Sequence, residues 1–129
     1  MLNDVKALGA LLTRDLADTS PIVPEIGYDR APFRDDEEGF TLHADGEGTR
    51  SIALNRVGSP AEQVEMAISQ AQDWVIELLA HNGREPIWPE CRLHPGTHPL
   101  TVTAASGTAV WICPKTSDAI AEVGSLGAR

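Results

Sequence analysis

Two cysteines and two of the four histidines crowd into the last third of the chain as Cys91-Arg-Leu-His94, Pro-Gly-Thr-His98 and then Cys113, a C-x2-H-x3-H-x14-C pattern. Thiolate and imidazole are the donors that zinc takes in closed tetrahedral sites, and two of each make a common set. The C-x2-H spacing lets one tight turn present Cys91 and His94 to the same ion. Pro95-Gly96 bends the chain so that His98 returns, and a hairpin over 101–113 brings back Cys113. The expectation is a structural zinc on Cys91, His94, His98 and Cys113, with no coordination position left for water. Two other readings of these residues stay open: a Cys91–Cys113 disulfide, and an empty site in which the thiols are small buried hydrophobes and the histidines polar loop residues.

Catalytic alternatives find little in the chain. A zinc deaminase would carry H-x-E followed by P-C-x-x-C and a zincin H-E-x-x-H, and neither string occurs. Glu90, beside Cys91, is a candidate general base that reads better as a surface charge, and a cysteine nucleophile would already be spent as a ligand. Asp45-Gly-Glu-Gly48 would set negative side chains against any phosphate, so it reads as a hairpin turn. Asp35-Asp-Glu-Glu38 lacks the Asp-x-Asp-x-Asp-Gly spacing of a calcium loop and reads as a solvated run. The protein is expected not to be an enzyme.

These ligands need elements to position them. Asn3 is placed to cap a first helix whose apolar face is Val5, Leu8, Leu12 and Leu16, ending near Asp18 before Pro21 and Pro24. Residues 19–39 read as a long connection. Phe40, Leu42 and Ala44, then Ile52 and Leu54, alternate about the Asp45–Gly48 turn as a β-hairpin, leaving Thr41, His43, Ser51 and Ala53 outward. Ser59-Pro-Ala-Glu62 is a capping box that starts a second helix over 60–81, with Val64, Ile68, Ala71, Val75 and Leu78 inward, His81 answering the helix dipole and Gly83 as the stop. Thr101–Ala104 and Thr108–Cys113 read as two strands joined by Ala105-Ser-Gly107. Ile120, Val123 and Leu126 suit one last strand or turn. Trp88 and Trp111, close to the two cysteines, are expected to pack over the knuckles rather than stack a ligand. The fold class is α+β, with two helices covering antiparallel hairpins and a C-terminal zinc-knuckle hairpin. A compositional break at Pro86–Pro89 divides residues 1–83 from 84–129 and favours a separate C-terminal lobe, with one continuous domain as the alternative.

The 129 residues carry 19 acidic against 10 basic side chains, a formal charge of −9, which opposes the field needed to gather nucleic acid or an anionic membrane. No apolar run approaches the ~20 residues of a membrane span, and Met1-Leu-Asn-Asp lacks the basic and apolar regions of a signal peptide. The expected location is cytoplasmic, where cysteines favour metal ligation or burial over a disulfide.

Cys113-Pro114 resembles the Cys-Pro of zinc-ribbon knuckles, with the departure that Cys113-Pro-Lys-Thr116 holds no second ligand, so that His98 must complete the set. The stretch from Trp88 to Leu100, with Ala109-Val-Trp-Ile-Cys-Pro114 and Ala121 to Leu126, resembles the C-terminal segment of small proteins of actinobacteria and their phages or prophages. That resemblance implies a structural metal knuckle on Cys91, His94, His98 and Cys113, no enzyme activity, and a place among small virion assembly proteins near the head–tail joint or tail. Such a subunit would have protein partners or form a homo-oligomer that closes as a ring. The alternatives are a cytoplasmic zinc-knuckle adaptor that binds one protein partner, and a small metal-dependent hydrolase, which would need an open coordination position.

Overall fold

A computed structural model describes residues 4–54 and 56–127. Among these residues, two helices and two separate three-stranded antiparallel sheets make an α+β fold. Helix α1 spans Val5–Ala17 and is capped by Asp4, whose carboxylate accepts from Lys6 N at 2.7 Å. The expected cap, Asn3, lies outside the described residues. Leu8, Leu12 and Leu16 are buried as their spacing predicts, but so is Asp15, on the same face.

Residues 19–39 are not one continuous connection. They contain an edge strand, β1 (Glu25–Gly27), which pairs with β2 (Gly39–Ala44) in the register Ile26↔Leu42. Strand β3 (Gly48–Ala53) closes this sheet through Phe40↔Ile52, and Phe40, Leu42 and Ile52 face the core. The run after β1 has no regular structure of its own. The Arg30 guanidinium binds it together by donating to the carbonyl oxygens of Arg34, Asp35 and Glu37, and the acidic residues stay at the surface apart from half-buried Glu37.

Gly39 is required by close packing. A Cβ there would run into the Ile52 carbonyl oxygen of the paired strand and the Phe33 ring. Because a backbone atom cannot rotate away, Gly39→Ala is expected to cost about 1–3 kcal/mol, read as a lower denaturant midpoint at unchanged slope.

Helix α2 (Pro60–His81) begins with the expected capping box: the Ser59 hydroxyl accepts from Glu62 N at 3.2 Å, and the Glu62 carboxylate accepts from Ser59 N at 2.9 Å. That second bond holds the exposed Glu62 carboxyl below its ordinary pKa. At the other end, His81 lies 3.6 Å from Glu47. α2 touches β3 of the first sheet and both β4 (Thr101–Ala105) and β5 (Thr108–Ile112) of the second. The β4–β5 turn is Ser106-Gly107, with φ of 51° and 81°, the signs of a type I′ hairpin. Strand β6 (Ala119–Glu122) adds to β5, with a bulge between Trp111 and Ile112. The two sheets do not pair, yet one hydrophobic cluster runs from Leu8 and Phe40 through α2 to Trp88, Cys91, Trp111, Cys113 and Leu126. Residues before and after the break at 83–84 therefore share a core.

Candidate metal centre

The segment that carries three of the four expected ligands is a small clip. Leu100 N donates to the Pro89 carbonyl at 2.8 Å, and Glu90 bridges Pro99. Inside the clip, Cys91 N donates to the His98 carbonyl and His94 N to the Cys91 carbonyl, both at 3.2 Å. The second bond closes the Cys-Arg-Leu-His turn. Thr97 then satisfies the His94 carbonyl with both its N–H (3.2 Å) and its hydroxyl (2.6 Å). Gly96, at φ 73°, turns its N–H onto Glu90 Oε2 at 2.9 Å. Glu90 is thus a brace of the ligand loop.

Cys113 arrives from the end of β5. Its N–H donates to the Asp118 carbonyl at 2.9 Å, and its carbonyl accepts from Ser117 N at 2.8 Å, which folds 113–118 into a tight turn. Burial raises the Cys113 thiol. The Thr116 hydroxyl, which also faces Asp118 Oδ2 at 2.9 Å, together with the Thr116 and Lys115 peptide N–H groups and Cys91, outweighs that and brings it down to about 6. The 113–118 turn brings no second cysteine or histidine, but it supplies hydrogen-bond donors to the Cys113 sulfur.

All four expected ligands are brought together. One donor atom from each of Cys91, His94, His98 and Cys113 lies within 4.8 Å of the other three. His94 Nδ1 is 3.5 Å from Cys91 Sγ, 3.6 Å from Cys113 Sγ and 3.1 Å from His98 Nε2, and Cys113 Sγ is 4.0 Å from His98 Nε2. The other ring nitrogen of His98, Nδ1, is 2.9 Å from the Pro99 carbonyl oxygen. A carbonyl only accepts, so Nδ1 is the donor there, which in the neutral ring makes Nε2, the nitrogen that faces the cluster, the acceptor. Both cysteines are free and fully enclosed, while the two histidines are half-buried. The group can hold a metal ion.

Trp88 and Trp111 are both buried, edge to face with ring centroids 5.6 Å apart, as part of the core beneath the knuckles. Sequence reading missed the polar residues that tie this region down. Buried Gln72 donates from Nε2 to the carbonyls of Trp88 (3.1 Å) and Leu100 (2.6 Å), so that α2 holds both arms of the clip. Glu65 accepts from Ala104 N at 2.7 Å. Asp15 accepts from Trp111 Nε1 at 2.9 Å, Gly124 N at 2.7 Å and Leu126 N at 3.0 Å. Burial pushes its carboxyl above the ordinary value, opposed by those three donors. The signal was position: Asp15 and Gln72 fall on the apolar stripes of their helices, where an uncompensated polar group would be costly.

Fold and site together define a small α+β domain with a two-cysteine, two-histidine cluster at the base of its C-terminal hairpin. Comparison with protein-family models, curated proteins and solved structures found no match. Among the described residues, no helix is long and apolar enough to cross a membrane.

Proposed function

We propose that Cys91, His94, His98 and Cys113 bind one zinc ion, that the ion is structural, and that the domain it closes is a non-catalytic assembly subunit that works through protein contacts. The carrying observation is the shape of the donor set. Zinc–sulfur and zinc–nitrogen bonds of about 2.3 and 2.0 Å at tetrahedral angles give sulfur–nitrogen edges of about 3.5 Å and a nitrogen–nitrogen edge of about 3.3 Å. Of the six edges of the cluster, three sulfur–nitrogen ones at 3.5, 3.6 and 4.0 Å and the nitrogen–nitrogen one at 3.1 Å come close to these values, and the remaining two, both from Cys91 Sγ, are within 4.8 Å. A tetrahedron filled by four protein donors leaves no site for an activated water, and Glu90 is engaged with Gly96 N rather than free to act as a base. These two points weigh against a metal-dependent hydrolase.

Placement in a phage particle, near its head–tail joint or tail, draws its support from the resemblance of residues 88–126. A protein-binding adaptor is the alternative within the same metal reading. Native mass spectrometry of protein purified without chelator tests both steps at once. One zinc per chain in a closed oligomer is the expected spectrum. A zinc-loaded monomer would overturn the ring subunit in favour of the adaptor, and a metal-free chain would overturn the metal reading.

A further inference from the structure

Each cysteine ligand is preceded at short range by a buried tryptophan: Trp88 lies three residues before Cys91, and Trp111 two before Cys113. Both indole N–H groups end on the same turn of the chain, at the C-terminal end of α1. Trp111 Nε1 donates to Asp15 Oδ2, and Trp88 Nε1 donates to Thr19 Oγ1, each at 2.9 Å. The Thr19 hydroxyl donates a hydrogen bond to the main-chain carbonyl oxygen of Asp15, which closes a path from one tryptophan to the other. Asp15 also takes the N–H groups of Gly124 and Leu126, just past β6. A carboxylate on a buried helix face is costly unless its hydrogen bonds are made, and a leucine would suit the α1 stripe better. What the carboxylate adds is a fixed position for the indole two residues before Cys113 and for the C-terminal turn. Thr19 does the same for the indole before Cys91.

We propose that Asp15 and Thr19 are positioning residues of the metal centre, fixing the two tryptophans from which both cysteine-bearing segments extend, so that metal loading and docking of the end of α1 are one coupled event. The inference rests on the reading that the four-residue cluster binds zinc. Coupling of this kind is reciprocal: a change at α1 that loosens the site weakens the metal by the same factor by which the metal favours the docked helix.

Zinc affinity of the full chain is measured by competition with a chromophoric chelator, and the cobalt-loaded form is recorded for its thiolate charge-transfer and ligand-field bands. The variants are Asp15→Asn and Thr19→Val. Ile52→Ala is the control: it opens the core in β3, a strand of the other sheet. Asp15→Asn is expected to weaken zinc up to about tenfold, the low end of what losing a group bonded directly to a ligand costs, because Asp15 acts through Trp111. Thr19→Val should shift affinity in the same direction, and both should alter the cobalt bands, while Ile52→Ala lowers the melting temperature with the cobalt bands unchanged. Thr19→Val decides the matter if Asp15→Asn does not fold. Folded variants that bind zinc as tightly as the unaltered chain, or that lose no more affinity than Ile52→Ala, would overturn the coupling while leaving the zinc site standing. An unaltered chain that takes up neither metal would overturn the zinc reading and the coupling with it.

Discussion

Replacing Cys91 with serine is expected to lower the stability of the zinc-loaded protein by about 4 kcal/mol or more, the range reached when a metal is lost from a small domain. The size follows from where Cys91 sits. It is a ligand atom, part of the hydrophobic cluster, and the residue whose backbone holds both His94 and His98 in the clip. Whole domains have only about 5–15 kcal/mol in hand, so the variant should be partly unfolded near body temperature. Chemical denaturation with and without a strong chelator separates the metal's share from that of packing. Chelator should lower the midpoint of the unaltered chain sharply and leave that of Cys91→Ser where it was. An equal chelator response in both would show that Cys91 is not a ligand.

Asp15→Ala is expected to cost at least about 3 kcal/mol, because it strands the indole N–H of Trp111 and the peptide N–H groups of Gly124 and Leu126 without an acceptor, at about 1–3 kcal/mol for each buried donor. The pH dependence has a definite sign. Burial raises the folded-state pKa of Asp15 above its unfolded value, so this group's contribution is fully present below the ordinary carboxylate range and is lost as pH rises through the raised value. The stability difference between the unaltered chain and Asp15→Asn, which does not titrate, should therefore move against aspartate as pH climbs out of the acid range. Urea unfolding at a series of pH values measures it. A difference moving the other way would mean that the three donors outweigh burial and hold the carboxyl below its ordinary value.

How much of this is legible from sequence depends on whether the signal is local. The capping box Ser59–Glu62 and the apolar period behind it mark α2 over Pro60–His81, because both depend on residues within a turn or two of each other. The gathering of Cys91, His94, His98 and Cys113 is legible for the same reason: C-x2-H with Pro95-Gly96 and a returning His98 is a short-range pattern, and the β4–β5 hairpin that returns Cys113 carries its own turn residues. Strand β1 has no such signal. Glu25, Ile26 and Gly27 follow a proline, have no alternation long enough to read, and are a strand only because β2 pairs with them. The buried ties are harder still. Asp15 meets partners about a hundred residues away, and Gln72 reaches carbonyls on two segments that come together only once the clip has formed. Each stands as a polar interruption in an apolar stripe, which says that a partner is required without saying which one.

In the proposed site, two thiolates and two imidazoles of this chain surround one metal ion. X-ray absorption at the zinc edge of the purified, zinc-loaded protein tests it most directly. Two sulfur neighbours at about 2.3 Å and two nitrogen neighbours at about 2.0 Å are expected. A shell of oxygen and nitrogen alone, or one with more than four neighbours, would contradict it.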